Sequence, residues 1–378
     1  MSEIRVNNLS NEDSTSGPTI TGITTFSGTN FFVPPVGNTA QRPQDPQKGA
    51  IRFNTDTKHL EYYRGDTIGW SEVEASNEEL GGGTGSNTGT GVRGVFGGGN
   101  TPTNTDVIQY ITISTLGNSQ DFGDLHEAKN GIGACASRTR GLFHGGKGSP
   151  NTYLDQIDYV TISSTGDEID FGNLIAGRAY VGATSNNTRA INFGGVVSGD
   201  TKQNVIEYNT IASTGNSVDF GDMLSAQEGR GGGSNTTRGL IIGATVNVIE
   251  YVTFSTTGNS ADFGDMLTIA ITMEGASNST RTVIGTIRNP AYSTDMQYVT
   301  TATLGNAIDF GDQTDNRGSG GAAASSTRGV WAGGYGQPAF RNTIDYVEIM
   351  TTGNAIDFGD IIAGLDHVSG CSNGHGGL

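Results

Sequence analysis

The chain has 378 residues and a formal charge of −17, with 21 Lys and Arg against 38 Asp and Glu. That excess of negative charge repels phosphate backbones and anionic headgroups, so nucleic acid and a membrane surface are excluded as natural partners. No run approaches the roughly 20 apolar residues that a bilayer span needs, so membrane insertion is not expected either. Sixty glycines, nine prolines and only two cysteines describe short strands joined by many tight turns, and free thiols rather than a disulfide scaffold.

No basic start followed by an apolar stretch opens the chain, so a standard export signal is not expected. Residues 1–48 are polar and turn-rich, with scattered apolar positions such as Ile20, Ile23, Phe26, Phe31 and Phe32. These are too few for a core, which predicts an extended attachment arm that docks on a partner. Residues 49–75 read as a small β-hairpin module: Gly49 to Tyr63 alternates around an Asn54-Thr55-Asp56-Thr57 turn, and Trp70 closes an apolar cluster. A Gly-rich stretch, Gly81-Gly82-Gly83-Thr84-Gly85-Ser86, makes residues 76–90 a flexible linker.

The run Gly49-Ala50-Ile51-Arg52-Phe53-Asn54-Thr55-Asp56 followed by Leu60-Glu61-Tyr62-Tyr63, with Arg42-Pro43 before it and Gly69-Trp70 after it, resembles N-terminal modules of virion appendage proteins (tail fibre or neck) of large marine tailed bacteriophages. The opening Ser2 to Thr25 is similar to them as well. The resemblance implies a virion protein assembled in the host cytoplasm and attached to other virion proteins through its N-terminal region. It also implies a homo-oligomer, a trimer.

From residue 91 onwards the chain repeats itself. Asp-Phe-Gly recurs at Asp121, Asp170, Asp219, Asp262, Asp309 and Asp357, and a tyrosine stands 11 residues before each: Tyr110, Tyr159, Tyr208, Tyr251, Tyr298 and Tyr346. Around the tyrosines the sequence alternates, as in Ile157-Asp158-Tyr159-Val160-Thr161-Ile162, the mark of a half-buried strand. A Thr-Gly or Leu-Gly turn lies between tyrosine and aspartate. Nineteen residues after the first five aspartates comes an arginine, Arg140, Arg189, Arg238, Arg281 and Arg328; Arg93 supplies the sixth, and Gly376 holds the position after Asp357. Four short strands per repeat of about 48 residues describe a propeller blade.

The order of strand, Gly-Gly, variable loop, Tyr-containing strand, turn, then a small-residue strand resembles the kelch repeat, although Asp-Phe-Gly stands where that repeat has its tryptophan. The expected fold is all-β: residues 91–378 form a six-bladed kelch-like β-propeller with four-stranded blades. The C-terminal segment around Val368 to Asn373 closes it by supplying the innermost strand of the first blade.

Each repeat arginine is expected to pair with an aspartate of the neighbouring Asp-Phe-Gly-Asp segment, and each Asp-Phe-Gly aspartate to cap a turn. Both sets have structural roles in this reading. Calcium at ring-arranged aspartates such as Asp121, Asp124, Asp219 and Asp222 is the weighed alternative. Gly141 to Ser149 departs from a P-loop at Gly148, where Ser or Thr must stand, and Gly370-Cys371-Ser372-Asn373-Gly374 is a nucleophile-elbow pattern without an α/β sheet around it. His59, His126, His144, His367 and His375 show no metal-ligand spacing. No catalytic, cofactor or metal site is expected.

The Arg-to-Tyr separations are 17, 19, 19, 13, 17 and 18, so all length variation falls in the loop after Gly-Gly. Those loops carry Lys147, Tyr153, Lys202, Arg288, Tyr292, Tyr335, Phe340 and Arg341, aromatic and cationic groups suited to sugar rings, carboxylates or protein. The expected function is a virion structural protein whose loop face binds a host-surface glycan or protein, with a purely structural connector or decoration protein as the alternative.

Overall fold

The structure is a computed structural model that describes residues 34–57, 59–73, 92–289 and 291–378. The chain divides into two compact units, Met1–Asn77 and Glu78–Leu378. The arm before residue 34 and the linker at 76–90 lie outside the described residues.

In the first unit, strands Ile51–Asn54, His59–Tyr63 and Trp70–Glu72 form an antiparallel meander, and Val36–Gly37 adds to it in parallel beside Ile51–Asn54. Residues 36–42, expected in the arm, therefore belong to this fold. Trp70 does pack on Tyr63, with centroids 5.4 Å apart, but the middle of the sheet is polar. The fully buried Glu61 carboxylate takes hydrogen bonds from Arg42 and Asn54 and lies 3.4 Å from Arg52. The Arg42 hydrogen bond holds its carboxyl below the usual range despite burial. A unit too small for a large apolar core is organised here by one satisfied carboxylate.

The second unit is all-β, with no α-helix among the described residues. Six antiparallel sheets follow one another, each built on a four-stranded ladder; the one around Thr201–Thr210 carries a fifth short strand, Val196–Val197. The first sheet comprises Ser369–Ser372, Arg93–Gly97, Val107–Thr112 and Gln120–Asp124, so the C-terminal strand pairs with the first strand of the unit. The edge strands Ser369–Ser372, Gly133–Ala136, Gly182–Ser185, Gly231–Ser234, Glu274–Ser277 and Gly321–Ala324 touch one another in that order, and the last touches the first. We call these the inner strands. They are made of Gly, Ala, Ser and Cys with one Thr and one Glu, residues small enough for six strands to approach one another.

The repeat residues hold each sheet and join it to the next. In every ladder the register slips beside Asp-Phe-Gly so that the phenylalanine is the extra residue of a bulge. It turns inward, 2–3% exposed, and meets the repeat tyrosine edge to face at 5.8–6.2 Å. The glycine is required because the next sheet's hairpin lies against it. A Cβ on Gly172 would come within 2.5 Å of the Gly215 carbonyl, and the Gly215 amide donates to Phe171 across the same gap. The hand-off recurs around the unit, ending with the Gly117 amide on the Phe358 carbonyl. Each outer strand is thereby capped by its neighbour.

The repeat arginines do not pair with the aspartates. Each stacks on the tyrosine of its own sheet, with Arg93, Arg140, Arg189, Arg238, Arg281 and Arg328 at 4.4–4.6 Å from the ring centroid. Each also donates to a backbone carbonyl of the next sheet, as Arg140 to Ile211 at 2.9 Å and Arg189 to Phe254 at 2.6 Å. The aspartates Asp121, Asp170, Asp219, Asp262, Asp309 and Asp357 are exposed and lie within strands, and Asp262 accepts a local hydrogen bond from the Gly264 amide at 3.2 Å. The planar guanidinium gains more from an aromatic face and a carbonyl in one place than from a solvated carboxylate.

Buried ion pairs pin the connectors that enter four of the sheets to the sheets they enter. Lys129 meets Asp158 at 3.0 Å, Arg178 meets Glu207 at 2.6 Å, Arg230 meets Glu250 at 2.7 Å, and Arg317 meets Asp345. The acid precedes the repeat tyrosine in each case. Lys129, Arg178 and Arg317 stand eight residues after their repeat aspartates and Arg230 eleven after Asp219; where the acid is Gln, at Gln109 and Gln297, the position eight residues after the preceding aspartate is Leu365 or Ala270.

Candidate ligand-binding mouth

Ten residues after each Asp-Phe-Gly aspartate, just before each inner strand, stand Gly131, Tyr180, Gly229, Thr272, Ser319 and His367. All six adopt left-handed backbone conformations, with φ between 53° and 64°. Four are not glycine, which costs conformational free energy that the surrounding fold must offset. Together they frame an open pocket of about 50 Å3 at one end of the inner strands, lined also by Ile132, Val181, Met273 and Val368. Tyr180 and His367 meet across it at 5.2 Å, and His367 Nδ1 lies 3.0 Å from Asp366. Burial raises the Tyr180 hydroxyl above its ordinary value, with Glu228, Asp366 and Asp200 adding to the shift.

Below the mouth, a second pocket of about 50 Å3 runs between the inner strands. Glu274 lines both cavities; the equivalent positions are Gly133, Gly182, Gly231, Gly321 and Ser369. Burial pushes its carboxyl up to about 8, against the Gly232 amide, which favours the charged form. The lower cavity ends on the C-terminal residues. His375 contacts the Ala136 carbonyl at 2.8 Å, and the Gly376 amide donates to Ser277. Burial holds His375 down at about 4 and the Cys371 thiol up at about 12, so neither the imidazolium nor the thiolate is favoured there.

The loop residues singled out in the sequence surround the mouth on short hairpins. Lys147 with Tyr153, Arg288 with Tyr292, and Tyr335 with Phe340 are cross-strand pairs. The hairpins rest on the connectors: Lys147, Arg288 and Tyr335 bridge to Asn130, Ile271 and Gly318, each of which immediately precedes a left-handed residue. Tyr292, Tyr335 and Phe340 form one aromatic run, with centroids 5.4 and 5.3 Å apart, and Arg288 covers Tyr292 at 5.2 Å. A Cβ on Gly318 would touch both Tyr292 and Thr272, which places this run beside the mouth. Tyr153 donates to Asp200 at 2.6 Å, and that bond raises its hydroxyl to about 12. Lys202 meets Glu228 at 3.5 Å and Arg341 meets Asp315 at 3.8 Å, so these two cations are engaged at the rim.

The structure thus gathers Arg288, Tyr292, Tyr335 and Phe340 into one cluster and leaves Lys147 and Tyr153 as a separate pair. Sequence reading missed Tyr180, Thr272, Ser319, His367 and Glu274. Their constant offset from Asp-Phe-Gly was available, but their residue types share no chemistry that marks them as a set. No protein-family model matches the chain, and no curated protein matches it.

Proposed function

We propose that the Glu78–Leu378 unit is a six-bladed β-propeller, kelch-like in architecture and closed by its C-terminal strand, that serves as a non-enzymatic binding module on a virion. The ordered contacts of the six inner strands and the pairing of Ser369–Ser372 with Arg93–Gly97 support the architecture. The resemblance around residues 42–70 supports the virion assignment, with the N-terminal region attaching to other virion proteins. The ligand is a host-surface glycan. The observation that carries this is the half-buried run Tyr292–Tyr335–Phe340, beside a mouth framed by left-handed residues and flanked by Asp366 and Arg288. Aromatic faces next to hydroxyl, carboxylate and guanidinium groups suit the apolar faces and hydroxyl edges of sugar rings.

Glycan-array and whole-cell binding by the full chain tests this, beside Tyr292→Ala and Tyr335→Ala variants. Saturable binding that weakens about tenfold with each ring removed is expected. A folded chain that binds neither glycans nor cells would reject receptor recognition.

A connector or decoration role is the second reading. It is favoured by Ile175, Leu224, Leu267 and Ile362, which stand at the same repeat position and are 56–58% exposed. It expects particle association that is lost when these residues are replaced by serine.

A further inference from the structure

Among the four buried ion pairs that pin a connector to the sheet it enters, three cations are arginines and one is a lysine. That lysine is also the one with two acids. Lys129 Nζ lies 3.0 Å from Asp158 Oδ2 and 3.5 Å from Glu168 Oε1, and the three side chains are 0%, 5% and 1% exposed. Glu168 Oε1 accepts from the His126 amide, while Oε2 has no hydrogen-bond partner in the protein. Burial raises the Glu168 carboxyl to about 7; Lys129 opposes the shift and Asp158 adds to it. Around neutral pH this acid is therefore substantially protonated, with its proton available to Asp158.

An amine, an acid and a general acid enclosed together are the reactants and catalyst for amide formation. We propose that Lys129 and Asp158 are joined by an intramolecular isopeptide bond whose formation Glu168 promotes. The Lys129 ammonium passes one proton to the Asp158 carboxylate, leaving two neutral groups in a site without bulk water. The Nζ lone pair attacks Asp158 Cγ while Glu168 donates its proton to the developing oxyanion. The surplus amine proton passes through Glu168 to the departing hydroxyl, the C–O bond breaks and one water leaves, and the retained oxygen gives its proton back to Glu168 as the amide carbonyl forms. Glu168 ends as it began, and no oxidant or co-reactant takes part. Fixed contact between amine and acid supplies the effective concentration that free side chains lack. Arg178, Arg230 and Arg317 cannot follow this course, because a guanidinium stays protonated.

The product would tie the connector entering the second sheet to the strand Gln156–Thr161, a covalent staple in a chain whose two cysteines are free and buried.

Intact-mass measurement of the full chain, folded and then denatured, decides the matter. The expected mass is one water below that of the sequence, and a protease digest should yield a branched peptide joining Lys129 to Asp158. Lys129→Arg, which copies the pairs at the other joints, and the near-isosteric Glu168→Gln should both carry the full sequence mass. Asp158→Asn should lose ammonia in place of water. A folded wild-type chain at full sequence mass, or a lost water that maps elsewhere, overturns the proposal.

Discussion

At the scale of single residues, Glu274 occupies a position that is otherwise glycine or serine. Its carboxyl is raised to about 8 in the folded chain against an ordinary value near 4.5. The folded state therefore binds the proton more tightly than the unfolded state does. The resulting stability is complete below about pH 4.5 and is lost as pH rises through about 8. Glu274→Gln should remove that slope and make the protein more stable than wild type at pH 9 by up to about 5 kcal/mol, read from urea unfolding at a series of pH values. The repeat glycines separate two costs. Gly166 and Gly172 both lie near φ +150°, but a Cβ on Gly166 meets nothing within 4 Å, whereas one on Gly172 meets backbone at 2.5 Å. Gly166→Ala should cost about 1 kcal/mol of backbone strain, and Gly172→Ala about 3 kcal/mol or more, in the same unfolding measurement.

At the scale of elements, strands and turns were legible because the alternation around Tyr159 and the turn at Thr165-Gly166 are local signals. The bulge that buries Phe171 was not, since a one-residue slip depends on the partner strand. Partners across sheets were misread for the same reason: Arg140 ends on a ring 19 residues away and a carbonyl 71 residues away. The hairpin cluster Arg288–Tyr292–Tyr335–Phe340 could be nominated from residue type and loop position. The left-handed set from Gly131 to His367 could not, because the fold imposes φ whatever the side chain. The buried pairs also follow a rule between each connector and the sheet it enters, with an acid facing each cation and Gln109 and Gln297 standing where Leu365 and Ala270 leave no cation. Arg178→Met leaves Glu207 buried and unpaired and should cost about 3–5 kcal/mol, whereas Arg178→Met with Glu207→Gln should recover most of that loss. Equal losses in the single and double variants would mean that packing, not charge matching, makes this joint.

At the scale of the whole molecule, three joints recur from each sheet to the next: the carbonyl taken by each arginine, the turn laid on each Asp-Phe-Gly glycine, and the contact between inner strands. The set returns to its beginning through Arg328 on the Ile113 and Ser114 carbonyls, Gly117 on Phe358, and Ser369–Ser372 beside Arg93–Gly97. On the proposed propeller such a series has no weak end, so unfolding should be a single transition despite the size of the unit. Deleting residues 365–378 tests that argument. It removes the strand that completes the first sheet, frees the edge of Arg93–Gly97, and opens the lower cavity where His375 sat. The truncated chain should melt in more than one step, with the Arg93–Asp124 region exchanging its amide hydrogens first, and should self-associate through the exposed edge. A peptide spanning residues 365–378, added in excess, should restore the single transition by occupying the vacated strand position. One cooperative melt for the truncated chain without the peptide would show that the five remaining sheets support one another without closure.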